Sequence, residues 1–281
     1  MRFWLGTPQG GSLVSAQDAM IPMSDHGFTV GDAVFETLKV VNGQPFALTR
    51  HLARLHRSAV GLSMTLPDEQ VIRHAVGEIV AAAEKPVERL RITVSSGSGP
   101  LGSARGQAQW TLALMSGPAT AWPATASIAV VPWAKYEGSA VTGLKTTSYA
   151  ENVVALAYAQ RLGADEGIFA NTAGQLCEGT GSNVLIAMDG VLVTPTLASG
   201  ALGGITRELA VQWCGVVERD VPIDALLRAD EILLASSTRD LQPVSLVIER
   251  DGSQRILQAP GPLSQQAMAQ FAAASADNID P

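Results

Sequence analysis

The chain has 281 residues, of which 47% are hydrophobic, a length and composition sufficient for a large core and for two domains. A net charge of −7 argues against a nucleic-acid partner, because phosphate backbones bind clustered lysine and arginine. Cys177 and Cys214 form no CxxC motif, and the first residues lack the apolar core of a signal peptide. No apolar run approaches the ~18 residues that span a bilayer, so we expect a cytoplasmic protein with no membrane partner.

Apolar periodicity predicts an N-terminal α+β domain over residues 1–117. Its predicted strands cover residues 3–5, 34–41, 46–48, 89–95 and 110–115. Asn42-Gly43 predicts a tight hairpin turn, and Thr49 is a candidate N-cap for a helix with an apolar stripe from Leu52 to Leu62. A second helix, from Glu69 to about Glu84, is predicted to turn four apolar residues inward: Val71, Ala75, Ile79 and Val80.

A glycine-rich loop from Gly97 to Gly106 separates two of these strands. It lacks the Gly-Lys-Ser/Thr of a nucleotide loop and leads into a strand rather than a helix, so we interpret it as a flexible active-site lid. Residues 118–125 are rich in proline and alanine, which predicts a linker to a C-terminal domain over residues 126–281.

The C-terminal domain is expected to be larger and β-rich, with α/β character. Its predicted strands cover residues 128–131, 167–170, 183–188, 191–194, 216–221 and 231–235. Helices are predicted at residues 150–162, after Gly203-Gly204, and near residues 223–228. The residues after Phe271 are predicted to fray.

Lys145 has the sequence setting of a reactive amine. The chain contains only four lysines, Lys39, Lys85, Lys135 and Lys145. Lys145 alone lies between a glycine-marked turn and a polar run that leads into a helix. A lysine that acts as a nucleophile or base needs partial desolvation and neighbours that lower its pKa. A solitary lysine is more often a solvated surface charge, so the interpretation of Lys145 depends on the motifs that accompany it in the chain.

Two further features follow Lys145 in the chain. Glu178 precedes a Gly-Thr-Gly-Ser turn and an apolar run, which predicts a carboxylate at the end of a buried element. Such a carboxylate can hold a proton on a heteroaromatic nitrogen. The Gly203-Gly204 turn leads into a helix start, whose backbone N–H groups suit a phosphate. Each feature alone is more often an ordinary turn, but together they indicate pyridoxal phosphate (PLP).

In order and spacing these motifs resemble the class IV aminotransferases, the PLP enzymes of fold type IV. That family includes branched-chain and D-amino-acid aminotransferases and 4-amino-4-deoxychorismate lyase. The resemblance extends over nearly the full length and includes residues 24–37 and the His-Leu-x-Arg-Leu pattern that contains Arg54. It implies a D-amino-acid aminotransferase-like α/β fold, a small-molecule amine substrate, and a homodimer in which the loop around Arg105 crosses to the partner's site.

The resemblance also implies the roles of individual residues. Lys145 would bind the cofactor covalently and act as the base, and Glu178 would keep the pyridine nitrogen protonated. Most basic side chains near Arg54 should face water, but Arg54 matches the arginine that binds the cofactor phosphate, and a planar guanidinium suits that contact. The remaining phosphate contacts would come from Ile205, Thr206, Ser237 and Thr238. The four histidines show no metal-ligand spacing, so we expect no metal site.

This shared machinery does not distinguish a lyase from an aminotransferase. Thr37 occupies the position where the lyases resemble one another in having a threonine near the lysine, and Val30 replaces a tyrosine that branched-chain aminotransferases use for the substrate carboxylate. Both residues favour 4-amino-4-deoxychorismate lyase, which releases pyruvate and the folate precursor 4-aminobenzoate. The alternatives are an aminotransferase of D-amino acids or branched-chain L-amino acids, and a non-catalytic PLP-binding relative. In an aminotransferase, Arg105 or Tyr149 would be the candidate to bind the substrate carboxylate.

Overall fold

The computed structural model describes residues 1–82, 87–107, 110–119 and 121–281. The chain divides into two compact units, each discontinuous in sequence. The first unit contains Met1–Thr120, Leu144–Tyr149 and Ile279–Pro281, and the second contains Ala121–Gly143 and Ala150–Asn278. The first boundary falls inside the predicted linker. Lys145, however, groups with the first unit, whereas sequence order alone had placed it in the C-terminal domain.

The first unit is an antiparallel sheet whose two longer helices pack on one face. Its strands are β1 (Arg2–Thr7), β2 (Gly10–Val14), β3 (Ala33–Val41), β4 (Gln44–Pro45), β5 (Arg89–Ser95) and β6 (Thr111–Gly117). Its helices are α1 (His26–Thr29), α2 (Leu48–Gly61) and α3 (Glu69–Ala81). Among the described residues the strands are ordered β2-β1-β6-β5-β3-β4.

The two faces of this sheet have different characters because side chains alternate along each strand. Val34 and Leu38 of β3 point to the inner face, where they are fully buried against apolar residues of α2 and α3 such as Leu55 and Ile79. Phe35 and Thr37 point to the outer face. The inner face therefore forms the core of the unit, and Phe35 and Thr37 lie outside that core.

The segment Leu144–Tyr149 lies beside the start of β3. Phe35 N donates to Lys145 O at 3.1 Å, and Thr147 N donates to Ala33 O at 2.8 Å. Val34 and Thr146 form an isolated antiparallel bridge between these two hydrogen bonds. The backbone of Lys145 is thus fixed to β3 as if by one further short strand.

The second unit is a mixed sheet with helices. Its strands are β7 (Ala126–Lys135), β8 (Glu166–Asn171), β9 (Leu176–Gly179), β10 (Asn183–Met188), β11 (Val191–Thr194), β12 (Val217–Glu218), β13 (Ile232–Ser236), β14 (Asp240–Ile248) and β15 (Gln254–Ile256). Its helices are α4 (Ala150–Arg161), α5 (Ile205–Cys214) and α6 (Pro262–Asp277), with 3-10 turns at Leu197–Ser199 and Ile223–Leu227. The strand order is β12-β11-β10-β13-β14-β7-β8-β9, and β15 pairs with β14.

The strand β9, which carries Glu178, lies at one edge of this sheet. β7 runs parallel to β8, and β9 returns antiparallel to β8. All four residues of β9 are buried, which confirms the prediction that Glu178 lies at the end of a buried element. No helix in the described parts of the chain is long and apolar enough to cross a membrane.

Many predicted elements are confirmed, and the confirmed ones are determined by local chemistry. The hairpin turn at Asn42 and Gly43 has φ angles of 51° and 77°, and the predicted turn at Asp189 and Gly190 has 54° and 77°. Positive φ at both central residues is what two-residue hairpins require, and Asn, Asp and Gly adopt it most readily. The helix predicted at residues 150–162 is α4.

Several predicted boundaries and buried faces are wrong at positions where tertiary packing determines the local structure. Residues 46–48 form no strand, since α2 begins at Leu48. In α3, Val71 is 37% exposed, and Ile72 and Val76 face the core instead. The other three residues predicted to turn inward do pack in or against the core: Ala75, Ile79 and Val80. The predicted end of that helix near Glu84 lies outside the described residues. The strand predicted at 216–221 shrinks to β12.

The prediction that the chain frays after Phe271 is also wrong. The helix α6 continues to Asp277, and residues Ile279–Pro281 bind the start of α2. Ala47 N donates to Ile279 O at 2.7 Å, and Arg50 Nε donates to Pro281 O at 2.8 Å.

Asp280 caps α2 in place of the predicted cap residue. Thr49, the predicted N-cap, lies inside the helix, and the N-cap position is Ala47, which has no side-chain acceptor. The Asp280 carboxylate instead accepts from Thr49 N at 2.8 Å and from Thr49 Oγ1 at 2.6 Å. A carboxylate here satisfies an orphan amide and also interacts favourably with the helix dipole.

Replacing Asp280 with alanine should therefore loosen the first turn of α2. We expect a loss of about 1 kcal/mol, the usual cost of removing an N-cap acceptor. Hydrogen exchange of the α2 amides and urea denaturation measure the effect. The matched control is Asp277→Ala, which removes an exposed carboxylate at the end of α6. Equal behaviour of the two variants would contradict the capping role.

Candidate active site

Glu36 and Arg54 form a buried ion pair on the inner face of the first sheet. Glu36 is fully buried, and Arg54 is only 5% exposed. Arg54 donates from Nε to Glu36 Oε1 at 2.8 Å and from Nη2 to Oε2 at 2.6 Å. One edge of the guanidinium is therefore held bidentately, a geometry that fixes the plane of the group. Arg54 is thus a rigid cation rather than a flexible surface one.

His51 binds the same carboxylate. Its Nδ1 lies 2.6 Å from Glu36 Oε2, and because an ionised carboxylate only accepts, Nδ1 carries the proton. Burial lowers the pKa of His51 and the positive charges of Arg54 and Lys145 lower it further, against the opposing effect of Glu36. His51 is accordingly neutral at physiological pH. The contribution of Lys145 shows that its amine is electrostatically coupled to this cluster.

Glu36 is ionised despite its burial. Burial alone would raise the pKa of Glu36, but the charge of Arg54 and its hydrogen bonds, helped by His51, outweigh that effect and lower the pKa to about 2. Sequence inspection did not single out Glu36. Its position in the strand could have indicated its importance. Glu36 alternates with Val34 and Leu38 and therefore faces the core, where a carboxylate needs a cation as partner.

The Lys145 amine lies among aromatic rings. Its Nζ is 4.4 Å from the centroid of the Phe35 ring and 6.0 Å from that of Tyr149. The two rings contact each other edge to face at 5.4 Å. The Lys145 backbone N–H donates to Ser58 Oγ on α2 at 3.0 Å. An amine that is half-buried against rings is partly desolvated, which is the environment that a reactive lysine requires.

Arg91 is a second cation beside Phe35, and the sequence analysis overlooked it. Its guanidinium carbon lies 3.8 Å from the Phe35 ring centroid, and its backbone pairs directly with Thr37 across β3 and β5. Burial lowers the pKa of Arg91, with Tyr149 opposing, and the group stays charged because arginine titrates far above neutrality. Thr37, Phe35 and Arg91 therefore share the outer face of the sheet, and the Lys145 amine contacts this group through the Phe35 ring.

Arg105 is engaged elsewhere. It binds both carboxylate oxygens of Asp32, at 2.6 and 2.7 Å, and this hydrogen bonding lowers the pKa of Asp32. It also donates to the carbonyl oxygens of Ser63 and Leu62 at 2.6 and 2.7 Å. These contacts make Arg105 an anchor that ties the glycine-rich loop to the end of α2. They do not favour its predicted role at a substrate carboxylate.

In the second unit, Glu178 is held from two sides. Its Oε1 contacts Lys135 Nζ, and its Oε2 accepts from the backbone N–H of Leu202 at 2.8 Å. Glu178 is 5% exposed. The carboxylate is therefore fixed in place, and its two oxygens have the remaining lone pairs that a further N–H donor would use.

The start of α5 has the features of a phosphate seat. Ile205 and Thr206 are buried, and the N-cap residue, Gly204, offers no side-chain acceptor to their amides. A Cβ at Gly204 would lie 1.9 Å from Asn183 Oδ1, so no side chain fits at this position. The bare amides and the positive end of the helix dipole suit an anion. The other two predicted phosphate contacts, Ser237 and Thr238, are half-buried in the turn between β13 and β14.

The residues of each unit, taken separately, fit parts of PLP. The first unit holds an amine and an oriented buried guanidinium, which suit an aldehyde and a phosphate. The second unit holds a fixed carboxylate and an uncapped helix start, which suit a pyridine nitrogen and a phosphate. Among the described residues, no group of three His, Cys, Asp or Glu side chains is arranged to hold a metal ion.

Residues 33–247 match the sequence model of the family described as Amino-transferase class IV. The chain belongs to the class IV aminotransferase family, whose enzymes depend on PLP. The D-alanine aminotransferase of Bacillus licheniformis is 30% identical over 271 residues, which cover 91% of this chain and 92% of that protein. The predicted family, fold class and cofactor are confirmed.

Two solved structures illustrate the range of the family. A hypothetical aminotransferase from Mycobacterium tuberculosis, in its PLP-bound form, is 27% identical with a TM-score of 0.80, and the match covers 96% of this chain and 99% of that one. The 4-amino-4-deoxychorismate lyase from Pseudomonas aeruginosa is also 27% identical, with a TM-score of 0.78 and coverage of 94% and 98%.

Acid should destabilise the first unit through Glu36. Its pKa is lowered from 4.5 to about 2, so the stability that the cluster contributes is complete above about pH 4.5 and is lost as the pH falls toward 2. Glu36→Gln should flatten this part of the pH profile of the unfolding free energy, measured by urea denaturation. At neutral pH it should cost about 3–5 kcal/mol, because Arg54 keeps a buried charge without its partner.

The control for this experiment is Glu69→Gln. Glu69 is an exposed carboxylate that pairs with Arg73 on the surface of α3. Its loss should change stability little and leave the acid slope intact. An unchanged acid slope in Glu36→Gln would show that the Glu36 cluster does not govern acid stability.

Proposed function

We propose that the protein is a PLP-dependent 4-amino-4-deoxychorismate lyase. The observation that carries the proposal is the position of Thr37. Its side chain shares the outer face of β3 with Phe35, whose ring contacts the Lys145 amine. A hydroxyl near the lysine is suited to deliver a proton to a leaving group, a step that elimination needs and transamination does not.

The chain's own groups have separate tasks in this proposal. When bound, PLP supplies an aldehyde that reacts with amines and a ring that takes up an electron pair. Lys145 would bond to the aldehyde carbon and, once released from it, would carry the proton at its Nζ. Arg54 would bind the phosphate, as would the backbone of Ile205 and Thr206, and these contacts would fix the direction of the ring. Glu178 would hold the proton at the ring nitrogen.

Arg91 fits the substrate of a lyase. 4-Amino-4-deoxychorismate carries two carboxylates, and Arg91 is a half-buried cation next to Thr37 and Phe35. A guanidinium in partly desolvated surroundings binds a carboxylate more strongly than one in water. The Tyr149 ring contacts the Phe35 ring edge to face, so its hydroxyl is a second candidate to bind the same substrate.

An aminotransferase of D-amino acids or branched-chain L-amino acids is the second candidate. The similarity to a D-alanine aminotransferase over nearly the whole chain favours it. Both reactions would use Lys145, Glu178 and Arg54 in the same way. They differ in whether a bond to the enolpyruvyl oxygen breaks, and therefore in whether Thr37 matters.

Incubation with 4-amino-4-deoxychorismate separates these candidates. The lyase should release pyruvate and 4-aminobenzoate with no 2-oxo acid present. Thr37→Val should lower kcat by about 10²–10⁴-fold, the usual contribution of a positioned proton donor, and Thr37→Ser should restore much of it. Lys145→Ala should abolish turnover and the cofactor that borohydride fixes to the protein. The decisive contrary result is rapid amine transfer from D-alanine or a branched-chain amino acid without 4-aminobenzoate.

We further propose a cytoplasmic homodimer. The first unit exposes large apolar side chains at Met20 (69%), Met23 (85%), Phe28 (68%) and Leu101 (100%). Burial of these side chains against a second copy of the chain would remove their apolar surface from water, so they suit a subunit interface. Cys177 and Cys214 are unpaired, which suits a reducing compartment.

Sedimentation should show a dimer at micromolar concentration. Phe28→Glu should shift it toward monomer, since a buried charge without a partner opposes association. The matched control is Val154→Glu, because Val154 is an exposed apolar residue (53%) on α4 of the second unit. A wild-type chain that sediments as a fully active monomer would remove the dimer from the proposal.

A further inference from the structure

The cation that contacts Glu178 has no assigned role. Lys135 is the last residue of β7, and its Nζ contacts Glu178 Oε1. The ammonium also lies 5.9 Å from the ring centroid of Phe169, a buried residue of β8. Lys135 is partly buried, with 19% of its side chain exposed, so this is an ion pair in a desolvated setting rather than a surface pair.

The sheet explains why the two residues meet. Lys135 pairs in register with Asn171 of β8, and β8 pairs with β9, which carries Glu178. The lysine side chain thus reaches across the end of β8 to the carboxylate. Glu137, another carboxylate near Lys135 in sequence, accepts from Thr172 Oγ1 at 2.7 Å and from Thr172 N at 3.1 Å.

We propose that Lys135 is a positioning residue for Glu178 and prepares that carboxylate to bind the ring nitrogen of the cofactor. The proposal rests on the proposed role of Glu178, although not on the choice between lyase and aminotransferase. Lys135 directs Oε1, while the Leu202 N–H directs Oε2. The carboxylate is then in place to accept the ring N–H without a change of rotamer.

The physical reason lies in burial. A charged carboxylate taken from water into a protein interior loses solvation, which a nearby cation or hydrogen-bond donors have to offset. One backbone N–H supplies a single hydrogen bond and no charge. Without Lys135, Glu178 would be held only by the Leu202 N–H at Oε2, with no cation beside it and no contact to direct Oε1. The ion pair supplies both.

The test compares binding of two cofactors, PLP and 1-deaza-pyridoxal phosphate, in which a C–H group replaces the ring nitrogen. Both retain the aldehyde and the phosphate, so their affinity difference reports the contact of Glu178 with the nitrogen. We expect the wild-type protein to prefer PLP. Lys135→Met should weaken PLP binding by about tenfold, the equivalent of one charged hydrogen bond, and leave the affinity for the deaza analogue within about twofold.

The variants separate positioning from general structural damage. Lys135→Arg keeps a cation and should retain the preference for PLP. Equal losses for both cofactors in Lys135→Met would mean that Lys135 only supports the fold, and unchanged PLP affinity would mean that Glu178 does not need it; either result overturns the proposal. If Lys135→Met fails to fold, Lys135→Gln is measured in the same way and judged by the same two ratios.

The role of Glu178 is tested separately. Glu178→Gln should abolish most of the wild-type preference for PLP over the deaza analogue. A wild-type protein with no preference would show that Glu178 does not bind the ring nitrogen. A clear preference that survives in Lys135→Met would overturn the inference about Lys135 alone.

Discussion

The buried carboxylate of Glu36 is the constraint on which the first unit depends. Three cations of this unit lie in buried or half-buried positions: Arg54, Lys145 and Arg91. Burial removes the water that would screen a cation, so a buried cation needs a nearby anion. Glu36 compensates for this on the inner face, where it binds Arg54 bidentately and accepts a hydrogen bond from His51. The fold can therefore keep a guanidinium rigid and buried before any ligand arrives.

In the second unit, a backbone N–H group helps to hold the buried charge of Glu178. Glu178 is fixed by an amide and an ammonium, and the start of α5 keeps its first amides without a side-chain cap. In each unit a residue with a proposed cofactor role is held by a neighbour of opposite charge: Arg54 by Glu36, and Glu178 by Lys135.

Sequence reasoning succeeded where the signal was local. The hairpin turns at Asn42 and Asp189, the helix α4 and the strand β10 follow from turn chemistry and periodicity within a few residues. The residues of the family motifs could likewise be selected in order along the chain. The overlooked groups were Glu36, Arg91 and Lys135, whose meaning depends on a partner across a sheet. Nothing in the local sequence of Glu36 shows that Arg54 will face it.

The placement of Lys145 shows the same limit at the level of domains. Sequence order put the segment 144–149 in the C-terminal domain because its neighbours on both sides belong there. Backbone pairing with β3 moves it to the first unit. Only a few residues take part in a short bridge of this kind, so the sequence shows no alternation of apolar and polar residues that would predict it.

The cap on α2 has a consequence for how the protein folds during its synthesis. Thr49 and Asp280 are separated by 231 positions, so a ribosome synthesises the helix that bears Arg54 long before it synthesises the residue that caps it. Lys145 also joins β3 only after much of the second unit's first segment has been made. The first unit therefore cannot reach its final form during translation of its own long segment, and its nascent sheet has to wait with an open edge. Such an edge is an aggregation hazard, and a cell that produces this chain quickly has reason to shield it with a chaperone.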